Sequence, residues 1–163
     1  KLDARKCISY LTIENKNLIP KKYRKAIGNR IFGCDDCLAI CPWNKYAKIS
    51  SEIKFNSSKY VFGLDELLKL CDQEFRFEFK GSPIKRIGRD RFLRNCCIAA
   101  GNSCDTKLIP DLINLLLNDK SPLVRGAAVW AIQELAEEDI INRIKGEHLR
   151  VEKDNIVLRE WHN

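Results

Sequence analysis

The chain has 163 residues, of which 45% are hydrophobic and 31% are charged. This length suits one domain or two small ones, and the apolar content is enough for a packed core. No apolar run approaches the roughly 20 residues of a transmembrane helix, and the charged residues Asp3, Arg5 and Lys6 argue against a secretory signal. Because the sequence contains no methionine, we expect it to be part of a longer protein.

The positive charge is concentrated at the amino-terminal end. The net charge is +7 for the whole chain, and it is +7 over residues 1–50, +2 over residues 51–105 and −2 over residues 106–163. A basic region attracts anionic partners, of which nucleic acid is the leading candidate. A solvated basic surface is the alternative interpretation.

Eight cysteines could indicate a secreted disulfide scaffold, but such scaffolds are usually shorter and rich in loops. The long helical patterns of this chain favour a reducing cytosol, where some cysteines bind metal and others pack in the core. The chain is therefore predicted to be cytoplasmic.

The first 48 residues contain the motif that carries chemistry. Residues 11–13 predict a short extended segment, and Pro20 begins a basic helix over residues 21–27. Residues 34–41 predict one or two helical turns, which place Cys34, Cys37 and Cys41 on one face. The run C-x2-C-x3-C-P is the back half of the bacterial iron–sulfur motif, whose first cysteine is replaced here by Ile31.

The missing ligand must come from elsewhere, and Cys7 is the only cysteine upstream. The four cysteines admit a structural zinc site, a single iron–sulfur cluster, or a two-cluster arrangement in which Cys41 binds the other cluster. The spacing argues against zinc, because zinc sites prefer two C-x2-C pairs.

The middle of the chain is less informative. Residues 49–62 predict a connecting loop, and residues 64–71 predict a short amphipathic helix that buries Cys71. The strict alternation of residues 74–80 predicts an extended segment or an edge strand, which residues 81–83 end.

The last half of the chain repeats itself. Residues 92–100 align with residues 123–131 at an offset of 31, and a weaker third copy begins at Ile156. A period near 30 with two helices per unit predicts a helical solenoid, and residues 119–128 resemble a HEAT-type repeat. In this alignment Cys96 and Cys97 match small helix residues, so we expect them in the core, whereas Cys104 is the best candidate for a free thiol.

Residues 3–14, 27–37 and 41–45 resemble the epoxyqueuosine reductases, and the likeness extends in kind to the repeats. The resemblance implies a mainly α fold, with a ferredoxin-like [4Fe–4S]-binding segment followed by a HEAT-like helical-repeat domain. We expect residues 1–50 to form the second half of a two-cluster unit, residues 51–82 a connector and residues 83–163 the repeats.

The same resemblance implies the function. This family reduces epoxyqueuosine to queuosine in tRNA, with electrons passed through two [4Fe–4S] clusters to cobalamin. Cys7, Cys34 and Cys37 would bind one cluster and Cys41 the other. The chain would be the carboxy-terminal part of such an oxidoreductase. It would lack the half that holds cobalamin and the catalytic acid, so it would be inactive alone.

The implied partners are the anticodon region of tRNA and an electron donor. We expect no membrane association, and we expect the protein to be a monomer. The basic side chains predicted to contact tRNA are Lys85, Arg86, Arg89, Arg91 and Arg94, with residues 21–25 as a second group. Arg94 aligns with Arg125, so a structural role between helices is the alternative for it. Trp43 is expected to cover the cluster or to stack on a base.

A different class of function also fits the sequence. The chain could be a non-catalytic nucleic-acid-binding HEAT-like module that a structural zinc or iron–sulfur site with four cysteine ligands holds together. The metal that the cysteines bind separates the two hypotheses.

Overall fold

The computed structural model describes residues 3–48 and 62–162, and within these ranges the chain forms helices and no strands. The α-helices are α1 (Lys21–Ile27), α2 (Asp36–Ala39), α3 (Leu64–Leu68), α4 (Asp72–Glu78), α5 (Arg89–Asn102), α6 (Ile109–Asn118), α7 (Pro122–Leu135), α8 (Glu138–His148) and α9 (Asn155–Trp161). Short 3-10 turns lie at Ala4–Lys6, Pro42–Tyr46, Pro83–Ile87 and Thr106–Leu108. The mainly α fold expected from the sequence is confirmed.

The two long helices α5 and α7 form the centre of the molecule. Cys96, Cys97 and Ala100 of α5 are fully buried, as are Ala127 and Ala128 of α7. These small side chains let the helix axes approach closely, which is the packing expected for successive repeats. Helices α6 and α9 cover the other sides of α7, and the whole set encloses one continuous apolar core.

The segment over residues 74–80 is a helix, so the prediction of an extended segment is wrong. Phe75 and Phe79 are four residues apart, both are buried, and their rings lie 5.1 Å apart. Phe77 is 77% exposed on the opposite side of α4. The alternation of phenylalanines satisfied a strand pattern, but the spacing of four also fits a helix, and the packing of Phe75 and Phe79 on Phe92 decides between them.

The prediction of an extended segment at residues 11–13 is also wrong. Residues Tyr10–Glu14 form a single π-helical turn, in which Leu11 and Thr12 are buried. The hydroxyl of Thr12 donates to the carbonyl of Ile8 at 2.8 Å, so this β-branched residue satisfies a helical carbonyl instead of pairing in a sheet.

Helix α1 begins and ends as the sequence predicts. Pro20 precedes its first residue, and Gly28 follows its last residue with φ of +60°, a conformation that favours glycine. Arg24 of α1 is 1% exposed and pairs with Glu160 of α9. The Arg24–Glu160 pair therefore connects α1 of the amino-terminal segment to α9, the last helix of the solenoid.

The domain boundaries expected at residues 50 and 82 stay a prediction, and residues 51–61 of the connector lie outside the described ranges. Helices α3 and α4, from the rest of the connector, both pack against α5. Among the residues that the structure describes, no helix is long and apolar enough to cross a membrane.

Candidate metal centre

The four cysteines predicted to bind metal lie on two neighbouring segments. Cys7 is exposed and follows the first 3-10 turn, and Cys34 is half-buried after Gly33. Cys37 is exposed on α2, and Cys41 is half-buried at the start of the turn Pro42–Tyr46. All four thiols are free, so they are available as thiolate ligands.

Ser9 joins the segment that carries Cys7 to the segment that carries Cys34. Its hydroxyl accepts a hydrogen bond from the backbone N–H of Cys34 at 3.0 Å and lies 3.2 Å from the carbonyl of the same residue, to which it can donate. The Ser9 side chain thus contacts both the backbone N–H and the backbone carbonyl of Cys34. Ser9 is two residues beyond Cys7, so this contact keeps two predicted ligands on adjacent segments.

Thr12 makes a second connection between the same segments. Its hydroxyl accepts from the N–H of Gly33 at 3.0 Å, one residue before Cys34. Gly33 has φ of +80°, in the left-handed region that a side chain would make costly. This conformation follows α1 and turns the chain so that Cys34 meets Ser9.

The donor set fits an iron–sulfur cluster on its chemistry. A [4Fe–4S] cluster is bound by cysteine thiolates, and the free thiols of these segments are donors of that type. The free thiols on joined segments are the observation that fits the cluster.

Charged groups beside the cysteines are paired with one another. Arg30 donates to both carboxylate oxygens of Asp36, at 2.8 and 3.0 Å. The Arg30 guanidinium, followed by a hydrogen bond from Cys34, holds the pKa of Asp36 below its ordinary value. Asp36 therefore stays ionised beside Cys34 and Cys37, but Arg30 offsets its charge.

The segment around Cys41 presents apolar side chains to solvent. Trp43 is 74% exposed, and its ring lies 5.6 Å from that of Tyr46. Leu38 and Ile40 are also largely exposed. The two roles predicted for Trp43, covering a cluster and stacking on a base, both stay predictions.

Helix α5 supports the segments that carry the candidate ligands with a row of buried and half-buried polar side chains. Arg94 is fully buried and donates to the carbonyls of Leu11, Asn15 and Asn17. Asn95 is 1% exposed and donates to the carbonyls of Thr12 and Ile31, both at 2.8 Å.

Two further side chains extend this row. Arg91 donates to the carbonyl of Ile13, and Asn102 donates to the carbonyls of Arg24 and Gly28. No sequence motif could reveal these contacts, because the acceptors are backbone carbonyls more than sixty positions away.

The basic side chains predicted to contact tRNA are placed very differently. Lys85 and Arg86 are exposed, and Arg86 pairs with Glu14 at 2.8 Å. Arg89 is mostly buried, and it pairs with Asp119 and donates to the carbonyl of Leu70. Arg89 and Arg91 are thus engaged inside the fold.

Arg94 has no exposed surface at all. Burial lowers the pKa of Arg94 to about 10, with smaller repulsion from Arg91 and Arg24. This placement is at odds with a tRNA contact by Arg94 and favours the structural alternative. The repeat alignment with Arg125 was the signal for that alternative.

The remaining cysteines divide between core and surface. Cys96 and Cys97 are fully buried, as predicted, and burial raises the pKa of both thiols. Cys71 is exposed, so the prediction that it is a core residue is wrong. Its sulfur instead accepts from the N–H of Glu74 at the start of α4. Cys104 is an exposed free thiol, as expected.

Two known families match separate parts of the chain. A family described as a 4Fe-4S double cluster binding domain matches residues 1–44, which contain the four predicted ligands. The HEAT repeat family matches residues 108–138, within the predicted solenoid.

Curated relatives are similar over most of the chain. The epoxyqueuosine reductase of Xanthomonas campestris is 43% identical over 136 residues, which are 82% of this chain and 38% of the relative. That of Pseudomonas aeruginosa is 40% identical over 139 residues, which are 84% of this chain and 38% of the relative. The chain therefore spans about two fifths of the length of these relatives.

Solved structures give the same result. A crystal structure of selenomethionine-labelled epoxyqueuosine reductase superimposes with a TM-score of 0.90 at 30% identity, over 99% of this chain and 43% of that one. The structure of an epoxyqueuosine reductase with an epoxyqueuosine-modified tRNA-Tyr stem loop superimposes with a TM-score of 0.89 at 30% identity, over 99% of this chain and 43% of that one.

Proposed function

We propose that this chain, which is related in sequence and fold to part of the epoxyqueuosine reductases, is the carboxy-terminal part of an enzyme that reduces epoxyqueuosine to queuosine in tRNA. The observation that carries this proposal is the set of four free cysteines, Cys7 and the run from Cys34 to Cys41, within a segment that matches a double-cluster domain. Its role in the whole enzyme is to hold cluster ligands and to contribute to RNA binding.

The ligands divide between two clusters in this proposal. Cys7, Cys34 and Cys37 bind one [4Fe–4S] cluster, and the bonds from Ser9 to Cys34 support their grouping. Cys41 binds the other cluster, whose remaining ligands lie outside this chain. The exposed apolar side chains of Leu38 and Ile40 beside Cys41 suit a surface that the rest of the enzyme covers.

Clusters bound there would carry single electrons to a cobalamin that is held mainly by the part of the enzyme outside this chain. The residues of this chain set the conditions for that transfer. The potential of such a cluster depends on nearby charge, hydrogen bonds and solvent exposure. Arg30 offsets the charge of Asp36, and the hydrogen bonds that the N–H groups of Cys34 and Gly33 donate to the hydroxyls of Ser9 and Thr12 limit movement of this backbone.

RNA binding is assigned to the exposed part of the predicted basic group. Lys85 and Arg86 are accessible and can neutralise phosphates, whereas Arg89, Arg91 and Arg94 hold the fold together. The structural relative with a bound tRNA stem loop supports a nucleic-acid role for this fold. In this proposal the reductase is cytoplasmic and monomeric, and it receives electrons from an electron donor.

Anaerobic reconstitution with iron and sulfide tests the proposal. The chain should take up both elements and turn brown, with an added small thiol supplying the ligand position that this chain lacks. Cys34→Ala and Cys37→Ala should lose most of the iron, whereas Cys71→Ala and Cys104→Ala, which remove exposed thiols outside the motif, should keep it. A colourless protein that binds zinc would instead support the structural-site alternative.

A further inference from the structure

Asn95 connects the two segments that carry the proposed cluster ligands, although it belongs to the solenoid. Its amide nitrogen donates to the carbonyl of Thr12 on the Cys7 segment and to the carbonyl of Ile31 on the Cys34 segment, both at 2.8 Å. An amide group carries two N–H donors at a fixed angle, so one side chain serves both carbonyls. With 1% exposure, these bonds are shielded from water.

The connection continues from Asn95 to the ligands themselves. Thr12, whose carbonyl Asn95 holds, accepts from the N–H of Gly33 through its hydroxyl. Ser9, one helical turn earlier, bonds both polar groups of Cys34. The hydrogen bonds of Asn95, Thr12 and Ser9 all join the Cys7 segment to the Cys34 segment, and together they connect α5 to Cys34.

The orientation of Asn95 is fixed from its other side. Arg94 Nε donates to the Asn95 side-chain oxygen at 3.0 Å, so the amide nitrogen must face the two carbonyls. An aspartate at this position would be nearly the same size, but it would present oxygen atoms to carbonyl oxygens. Two buried carbonyls would then lose their donors.

We propose that Asn95 is a positioning residue for the cluster ligands Cys7 and Cys34, acting through Thr12 and Ser9. This inference rests on the proposed cluster and adds a residue of the repeat domain to the determinants of cluster retention. The amide fixes the distance between the two segments, so the thiolates are held ready for the cluster. A ligand pair that is loosely held releases iron more readily.

Asn102 offers a matched control on the same helix. It lies seven residues after Asn95, and its amide nitrogen also donates to two carbonyls, those of Arg24 and Gly28 at 2.8 and 3.0 Å. These acceptors belong to the end of α1 and carry no predicted ligand. Asn102→Asp therefore removes the same kind of bonds without touching the connection between Cys7 and Cys34.

The experiment compares cluster retention in the full chain. Wild type, Asn95→Asp, Asn102→Asp and Ser9→Ala are reconstituted with iron and sulfide, and cluster loss to an iron(II) chelator is followed by absorbance. Circular dichroism of each apoprotein reports the fold. Ser9→Ala should lose the cluster on the order of five- to tenfold faster than wild type, the factor for about one hydrogen bond. Asn95→Asp, which removes two donors, should lose it at least as fast as Ser9→Ala, and Asn102→Asp should match wild type.

Each other outcome overturns a defined statement. Equal loss rates in wild type, Asn95→Asp and Ser9→Ala would remove the positioning role while leaving the proposed function in place. Equal acceleration by Asn95→Asp and Asn102→Asp would show that the effect is general loosening of the fold. If Asn95→Asp does not fold, Asn95→Ala, which removes the two donors without adding a charge, takes its place with the same expected and contradicting results. A wild type that takes up no iron and sulfide would refute the proposed function, and this inference with it.

Discussion

The guanidinium of Arg24 meets the carboxylate of Glu160 with both terminal nitrogens, at 2.8 and 2.9 Å, although 136 positions separate the two residues. Its Nε donates to the carbonyl of Ile19, and the ring of Trp130 lies beneath it. The donors of this buried cation are thus aimed at acceptors, which is the arrangement that lets an ion pair be buried.

Breaking this pair should be costly. Arg24→Met leaves the Glu160 carboxylate buried beside the more distant Lys21 ammonium at 3.7 Å, so we expect the free energy of unfolding to fall by about 3–5 kcal/mol. Urea denaturation at neutral pH measures the change. The control is Lys25→Ala, also on α1, which breaks the more exposed pair of Lys25 with Glu134 of α7 and should cost at most about 1 kcal/mol. Similar losses from the two variants would show that burial does not matter here.

Two helical glycines should respond in opposite directions to alanine. A Cβ on Gly101 of α5 would lie 2.7 Å from Trp130 Cζ3 and 3.0 Å from the Cα of Ala131, where α5 and α7 touch. Gly101→Ala should therefore destabilise the protein by about 1–3 kcal/mol, because this contact cannot relax without moving a helix.

A Cβ on Gly146 of α8 would meet no atom within 4 Å. Gly146→Ala should stabilise the protein by about 0.5–1 kcal/mol, since alanine restricts the unfolded chain and favours the helix. Thermal unfolding of both variants gives the two signs. A stabilising Gly101→Ala would contradict the close packing of α5 on α7.

Acid should weaken the contact between α7 and the loop before α9. Burial alone would raise the pKa of Glu152, but hydrogen bonds from Arg125 and from the N–H groups of Asp154 and Lys153 outweigh it and lower the pKa to about 2. The stabilisation is complete above the ordinary value near 4.5 and is lost as pH falls towards 2. It amounts to about 3 kcal/mol, since one unit corresponds to about 1.4 kcal/mol.

Urea denaturation at several pH values between 7 and 2 checks this window. Glu152→Gln should be less stable than wild type at pH 7, and the difference should shrink as pH falls below 4.5. Glu147→Gln changes the same charge at an exposed position of α8 and should run parallel to wild type. His148 Nε2 lies 3.5 Å from Glu152, and burial lowers its pKa, so any effect of His148 begins at higher pH. A constant difference between Glu152→Gln and wild type would refute the assignment.

The exposed basic side chains before α5 should carry part of the tRNA affinity. Lys85→Ala combined with Arg86→Ala should weaken binding of a tRNA anticodon stem loop and lower the slope of log affinity against log salt by about 1 for each charge removed. Lys107→Ala, which removes an exposed charge outside this group, is the control. Filter binding at several salt concentrations measures both. An unchanged slope would exclude Lys85 and Arg86 from the interface.

The repeats were predictable because their signal is local and recurs. The offset of 31 aligned Cys96 and Cys97 with Ala127 and Ala128, and all four are fully buried. Residues 74–80 were misassigned because Phe75, Phe77 and Phe79 satisfy a period of two, and only the docking of Phe75 and Phe79 on Phe92 selects the helix. A local pattern can fit both a helix and a strand, and tertiary contacts then decide which of the two forms.

The basic residues show that the sequence does not predict which charged side chains are buried. Arg24 and Arg94 belong to the two groups predicted to contact tRNA, with a structural role as the alternative for Arg94. Both are buried, because Glu160 and the carbonyls of Leu11, Asn15 and Asn17 accept their hydrogen bonds. The residues near either arginine in the sequence do not predict these acceptors. The cysteine spacing, in contrast, is itself the chemical requirement, so the candidate ligands could be named without the fold.

The polar row on α5 also sets an order of events during synthesis. Within this chain, the segment with Cys7 is synthesised before the donors for its carbonyls, since Arg94 and Asn95 follow those carbonyls by 77 to 83 positions and Glu160 follows Arg24 by 136. Until then the carbonyls of Leu11, Thr12 and Asn15 lack the side-chain donors that they have in the folded chain. Cluster insertion into the nascent chain would therefore meet ligands that are not yet held, and we expect it to follow completion of the solenoid.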